Sequence, residues 1–401
     1  MHDAPHVAEH HLVARQQRAG GSDDRWRHGN DQLAALSWAV SGRTARPLIA
    51  GGHTSTTGEM MQLSYAQNLE DYHLDLMFAG QPTGTYVDVG GGHPVADNVS
   101  FWFYLEGWRG LVVEPQQALA DIYAHVRPRD HTVSCLAGRA DGEAQFHVVD
   151  KLHGFSSTVR EHAQAAAEFG AAFTTVTKPV RTLAALIAEA GLGTIDFLKI
   201  DVEGAEADVL AGMDFERHRP RVLLLEAVAP GSMADASAAW ERDLLDKGYR
   251  FAFFDRLNRF YVADEAKDLA ARLPEEPAPW DKVQHLWDCG RAPDRPTHPD
   301  HVLARTLMEG FFAILPALEP ALLRRIIERG LEGVRPSSSD VALGTGGTEG
   351  SDPPAALLGS AEFPRPTTPP PTDLAALLET DQLRAALGRI ACMYDGGHLL
   401  E

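Results

Sequence analysis

Between about residues 65 and 263, short apolar runs of strand length alternate with stretches whose apolar residues recur at helical spacing. The runs are 85–90, 110–114, 132–136, 195–202 and 222–228, and helical patterns follow most of them, including 116–126 and 234–247, the latter stopped by Gly248. Nearly continuous apolar strands separated by helices predict an α/β fold, with a mainly parallel sheet covered by helices on both faces. Two further runs, 249–254 and 258–263, are separated only by Asp255, Arg256 and Leu257. So short a connection cannot carry a parallel crossover, and the two runs are predicted to form a C-terminal antiparallel hairpin. Helical patterns resume at 301–331 and 373–390 and predict accessory C-terminal helices.

Proline divides the chain, with 9 of the 25 prolines in residues 1–263 and 16 in the remainder. Regular structure is therefore expected mainly in the first part. The densest stretch, 335–371, holds 8 Pro and 5 Gly among 37 residues without a period, which predicts a linker. The organisation expected is a flexible segment at 1–60, a sheet domain at 61–265, an accessory helical region at 266–334, the linker, and a terminal helix at 372–401.

Composition narrows the chemistry. Lys and Arg number 36 against 56 Asp and Glu, a net charge of −20 that disfavours nucleic acid and anionic membranes as partners. Cys135, Cys289 and Cys392 are odd in number and far apart, so they support neither a disulfide framework nor a structural zinc site. No apolar run reaches the ~18 to 20 residues of a membrane span, and residues 1–30 lack the apolar stretch of a signal peptide. A reducing cytoplasm is the expected location. His6, His10 and His11 have no fixed frame of further ligands and receive no role.

Three features carry candidate chemistry. The strand Tyr86-Val87-Asp88-Val89 runs into Gly90-Gly91-Gly92-His93-Pro94, where glycines allow a sharp turn and the close approach of a ligand to the backbone. Alone, this run would read equally well as an ordinary turn. Glu114 ends the next apolar strand, 26 residues after Asp88, where a carboxylate can accept both hydroxyls of a ribose. The third feature is Lys199-Ile200-Asp201-Val202-Glu203-Gly204-Ala205-Glu206, in which three carboxylates crowd the end of an apolar strand. Like charges in such a place are costly without a proton, cation or substrate to relieve them. Glu206 is also explained by the preference of helix N-termini for acids, and Lys199 reads as a strand residue of no catalytic importance.

Asp201 and Glu226 end neighbouring strands and could hold a divalent metal ion, or act directly as base and substrate acceptor. Asp201, Glu203, His93 and His153 are the candidates for removing a proton, with Asp201 first. Tyr65, Asn68 and Asp71 precede the first strand. They could cover a cofactor, or belong to a plain amphipathic helix that turns Leu69, Tyr72 and Leu76 inward.

With these residues in hand, the chain resembles the FkbM family of S-adenosylmethionine-dependent methyltransferases. The resemblance rests on Ser64 to Asp71, Tyr86 to Gly90, Gly107 to Pro115, Asp196 to Glu206 and Leu257 to Val262, and extends over about half the chain. The Lys199 to Glu206 run is its specific part. It implies a class I methyltransferase fold, Rossmann-like, whose mainly parallel sheet ends in one antiparallel hairpin. It also implies S-adenosylmethionine as methyl donor and a hydroxyl acceptor on a sugar or other natural-product scaffold. By this resemblance Asp88 and Gly90 line the methionine side and Glu114 takes the ribose; Gly92 and Asn68 are further cofactor-binding candidates. Gly92 departs from the Asn common in relatives. Two competing readings are a non-catalytic module whose C-terminal helices recruit a protein partner and a nicotinamide-dependent oxidoreductase. The latter lacks a complete Gly-x-Gly-x-x-Gly, because Val95 takes the last position.

Overall fold

The computed structural model describes residues 61, 63–149, 153–165, 171–228, 234–277, 283–332 and 380–392. The expectations for residues 1–60 and for the linker at 335–371 lie outside the described residues. Seven strands form the main sheet: β1 (Thr85–Val89), β2 (Arg109–Val113), β3 (His131–Val133), β4 (Phe197–Ile200), β5 (Val222–Glu226), β6 (Tyr249–Phe254) and β7 (Asn258–Ala263). Across the sheet they lie in the order β6-β7-β5-β4-β1-β2-β3. β1 is parallel to β2 and β4, β2 to β3, and β4 to β5. β7 runs antiparallel to both β5 and β6, so the sheet is mixed.

Burial follows from this layering. β4 is wholly buried, and β1, β2 and β5 are buried except for one end residue each, because helices cover both faces of the parallel part. Tyr86 stacks on Phe197 at 5.5 Å, and Phe103 packs 4.9 Å from both Phe197 and Trp108. The edge strand β6 instead exposes Phe251 and Phe254. In the β6–β7 turn, Asp255 Oδ1 accepts from the N–H groups of Leu257 and Asn258, at 2.9 and 2.6 Å, and a register shift between Phe251 and Phe253 twists the hairpin.

The chain first builds outward from β1 through β2 to β3, then returns to place β4 and β5 on the other side of β1. That reversal opens a crevice above the C-terminal ends of β1 and β4, the place where open α/β sheets bind ligands.

Several expected elements differ from the structure. The run 132–136 divides, because β3 ends at Val133 while Leu136–Ala137 joins a second, three-stranded sheet beside Phe173–Arg181. That small sheet also contains Gly142–Val149, antiparallel to Phe173–Arg181, and the apolar pattern predicts neither long strand. Phe173–Arg181 has no buried residue and Gly142–Val149 buries only Phe146, His147 and Val149, so no long continuous apolar run marks either strand. The helix expected over 234–247 is a short turn at Ser237–Ala239 followed by Glu241–Asp246, with Gly248 beyond it at φ +77. The helix that follows the glycine turn spans Phe101–Leu105. The expected helix over 301–331 is broken into His301–Ile314, Leu315–Ala317 and Pro320–Glu332, because Pro316 and Pro320 cannot donate helical hydrogen bonds.

The terminal helix, Asp381–Ala391, is capped by Thr380 Oγ1, which accepts from Leu383 N–H at 3.3 Å. It joins the sheet domain instead of standing apart as an accessory element. Ala385 and Ala386 are fully buried, and a Cβ at Gly388 would come within 2.9 Å of Val95 and 3.2 Å of Val126. Arg389 makes a buried two-pronged pair with Asp300, at 2.6 and 2.9 Å. No helix among the described residues is long and apolar enough to cross a membrane.

Candidate functional site

The turn after β1 is fixed by its backbone. Gly90 has φ +73, and a Cβ there would lie 1.8 Å from the Asp201 carbonyl oxygen, so only glycine fits between β1 and β4. Gly90 N–H donates to the Val113 carbonyl at 2.9 Å, and Asp201 N–H to that of Val89 at 3.1 Å. Gly92 has φ +58 in open space, a conformation that Asn also tolerates. Asn98 Nδ2 donates to the carbonyls of Gly91 and His93, at 2.9 and 3.0 Å, and holds the loop from below.

Lys199, set aside on sequence as unimportant, lies at the centre of this arrangement. Its Nζ donates to the Gly90 carbonyl at 2.6 Å and stands 3.4 Å from carboxylate oxygens of Asp88 and Asp201. Burial opposes its charge, yet Asp201 and Asp88 outweigh burial and hold the ammonium above the ordinary lysine range. Asp88 is buried, and its second oxygen accepts from Ser100 Oγ at 2.6 Å. One sequence signal could have found Lys199, since it is the lone cation in an otherwise apolar, doubly covered strand.

Glu114 follows β2 and is buried. Its oxygens accept from the N–H groups of Gly92 at 2.8 Å and Gln116 at 2.7 Å. Burial pushes its carboxyl up to about 7, against the opposing effect of these two hydrogen bonds and of Lys199. Each carboxylate oxygen keeps a lone pair for a further donor.

Beyond Lys199 the carboxyls gather. Asp201, Glu203 and Glu226, all half-buried, each bring one oxygen to within 4.8 Å of the others. Burial raises the carboxyls of Glu203 and Glu226 well above the usual range, and the Asp201 charge adds to the rise in both. Three oxygen donors at this spacing suit a hard divalent cation, and the same negative charge would also take up a proton. The pair expected from sequence, Asp201 and Glu226, thus gains Glu203 as a third member. Glu206 lies behind the cluster, where its Oε1 accepts from the N–H groups of Val202 and Gly204 at 3.2 and 3.1 Å.

The remaining candidates fall elsewhere. His93 Nδ1 accepts from the N–H groups of Val95 and Ala96, at 3.1 and 3.0 Å, and so braces its own loop. His153 opens the short turn His153–Phe155 beside the small sheet. Asn68 Nδ2 donates to the Asp255 carbonyl at 2.8 Å, which ties it to the β6–β7 turn. Asp71 is fully buried and accepts from Ser64 Oγ and from the N–H groups of Tyr65 and Tyr72. Leu69 and Tyr72 are buried at the helix Glu70–Met77 and Leu76 is half-buried, but Glu70, Asp71 and His73 are buried as well, so the helix is not the plain amphipathic one of the sequence reading. Tyr65 packs edge-on against Phe101 at 4.8 Å.

Comparison with known proteins bears on this geometry. Residues 88–251 match the family model of the methyltransferase FkbM domain, the family to which the sequence motifs pointed. A solved structure, that of the methyltransferase FkbM from Methylobacillus flagellatus, is similar at 15% identity and a TM-score of 0.28. The match covers 48% of this chain and 50% of that one, so the chain spans about half the length of that protein. No curated protein matches.

Proposed function

We propose, from the methyltransferase FkbM domain that residues 88–251 match, that the protein is an S-adenosylmethionine-dependent methyltransferase of the class I, Rossmann-like kind, acting on a hydroxyl of a sugar or natural-product scaffold. The observation that carries this reading is the meeting of the glycine turn, Lys199 and the carboxyl cluster at the crevice between β1 and β4. The strand order, with its antiparallel β7 between β5 and β6, supports the class I arrangement.

S-adenosylmethionine, when bound, would supply an electrophilic methyl carbon: a C–O bond to the acceptor would form in line as the C–S bond breaks, with S-adenosylhomocysteine as the leaving group. The chain's own tasks are then alignment and removal of the acceptor's proton. Gly90 leaves backbone space beside Asp88, and Glu114 has acceptor capacity for ribose hydroxyls, so the residues present fit such a donor. Asp201 is assigned the acceptor's proton, and Lys199 holds Asp201 and the glycine turn in one frame. Alternatively, Asp201, Glu203 and Glu226 would together hold a divalent cation, which would lower the hydroxyl's pKa. The net charge of −20 favours a neutral acceptor over a polyanion. A reducing cytoplasm belongs to this reading and accords with three free, buried cysteines. Exposed Phe312, Ile314 and Ile327 on the helices His301–Ile314 and Pro320–Glu332 support a protein-partner surface there.

Calorimetry with S-adenosylmethionine and S-adenosylhomocysteine tests the reading. Binding of both is expected, and Asp201→Asn is expected to bind S-adenosylhomocysteine while losing transfer. A folded chain that binds neither would overturn the reading. Thermal protection by NAD alone would move it to an oxidoreductase. Full biological activity in Asp201→Ala would move it to a non-catalytic module.

A further inference from the structure

The small sheet does more than extend the fold. Between its strands Gly142–Val149 and Phe173–Arg181 the chain passes through Ser157 and the short helix Arg160–Ala165. Ser157 is bridged to His147 through both backbone groups, at 2.9 and 3.2 Å, and its Oγ accepts from Val159 N–H at 2.9 Å. Two side chains of this segment meet at the carbonyl oxygen of Glu203. Ser157 Oγ donates to that oxygen at 2.9 Å, and His162 Nδ1 lies 2.8 Å from it. A carbonyl oxygen has lone pairs and no proton, so the imidazole must carry its proton on Nδ1 and donate it.

These two donors meet Glu203 where its backbone is unusual. Glu203 has φ +55 and Gly204 has φ +99, two consecutive residues in a region that side chains other than glycine's rarely adopt. The His162 ring lies over Gly204 so closely that a Cβ there would stand 2.6 Å from its Cε1. The conformation turns the chain back after β4, and it is this turn that leaves the Glu203 carboxyl beside Asp201 and Glu226.

We infer that His162, with Ser157, is a positioning residue: it holds the Glu203 backbone in its left-handed turn and so sets the third carboxyl of the cluster. The inference rests on the reading of that cluster as the seat of the acceptor chemistry. His162 itself touches no member's carboxyl group. It acts through the main chain, from a helix that lies between two strands of the small sheet in the chain.

The test compares full-length wild type with His162→Ala and His162→Asn, whose Nδ2 can stand where the imidazole Nδ1 stands. Manganese(II) titrated by calorimetry is the probe of the cluster, and S-adenosylhomocysteine is the probe of the rest of the site. His162→Ala is expected to weaken manganese binding by about 10- to 100-fold, as loss of a group that orients a ligand does. S-adenosylhomocysteine affinity and Tm should stay unchanged, and His162→Asn should recover most of the loss. Unchanged manganese affinity in His162→Ala, or an equal loss of S-adenosylhomocysteine binding, would overturn the proposal. If wild type binds no manganese, the cation reading fails by itself, and a crystal structure of His162→Ala decides the positioning role. Glu203 leaving its left-handed conformation supports it, and Glu203 retained at φ near +55 with its carboxyl in place overturns it.

Discussion

Around Arg127 every charge is matched, whereas at the ends of β4 and β5 three carboxyls meet a single lysine. Arg127 is wholly buried and uses all five of its N–H groups. Nε donates to Asp130 at 2.8 Å, Nη1 to Asn98 Oδ1 and the Pro94 carbonyl at 2.9 and 3.3 Å, and Nη2 to Tyr86 OH and Ser100 Oγ at 2.9 and 2.8 Å. A buried ionic group with every donor used is framework. At Asp201, Glu203 and Glu226 the carboxyls outnumber the one cation, Lys199, that pairs with them among the described residues, and among those residues Glu226 Oε2 is buried with no hydrogen-bond partner. Such an arrangement is maintained against its own electrostatics, as the proposed site requires. The two groups also touch: Ser100 accepts from Arg127 and donates to Asp88, so the framework braces the site.

The largest test of the comparison removes the matched cation. Arg127→Met leaves buried Asp130 without its counter-charge and takes donors from Asn98 Oδ1 and the Pro94 carbonyl, and is expected to cost about 3 to 5 kcal/mol in urea unfolding. A loss below about 1 kcal/mol would show that this network is not framework.

A smaller effect comes from pH. Glu114 has its folded pKa raised from 4.5 to about 7 by burial, so it favours the folded state below 4.5. That contribution is lost as pH rises through about 7, at most about 3 kcal/mol. Urea unfolding at pH 5 and pH 8 should show wild type less stable at the higher pH and a flatter dependence in Glu114→Gln. Equal slopes would remove Glu114 from the account.

The smallest expected change has the opposite sign to that of Arg127→Met. Glu226→Gln relieves crowding among like charges and should raise stability by on the order of 1 kcal/mol at pH 8, while manganese binding and methyl transfer fall. If this variant were destabilised as strongly as Arg127→Met, the contrast between framework and site would not hold.

Much of the sheet was legible because its strands are covered on both faces, so burial writes itself into the chain as apolar runs at 85–90, 110–114 and 222–228. The β6–β7 hairpin was legible for a related reason, since a short connection leaves only one way to pair. Gly142–Val149 and Phe173–Arg181 escaped because half-exposed strands need no such run, and their pairing spans a long connection. The terminal helix Asp381–Ala391 was visible as a helix, but nothing local told that small Gly388 would seat against Val95 and Val126.

For the site, the sequence by itself determined the residue types: a glycine turn after one strand, an acid after the next, and carboxyls after β4 and β5. Periodicity and turn chemistry are local, and they suffice for that much. Only the tertiary structure decided that β4 lies beside β1, which sets Lys199 between Asp88 and Asp201 and turns it from a strand residue into the centre of the site. It also decided that Ser157 and His162, more than 40 residues before Glu203 in the chain, fix its backbone. Such contacts depend on how crossovers fold back over the sheet, and that packing is a property of the whole chain.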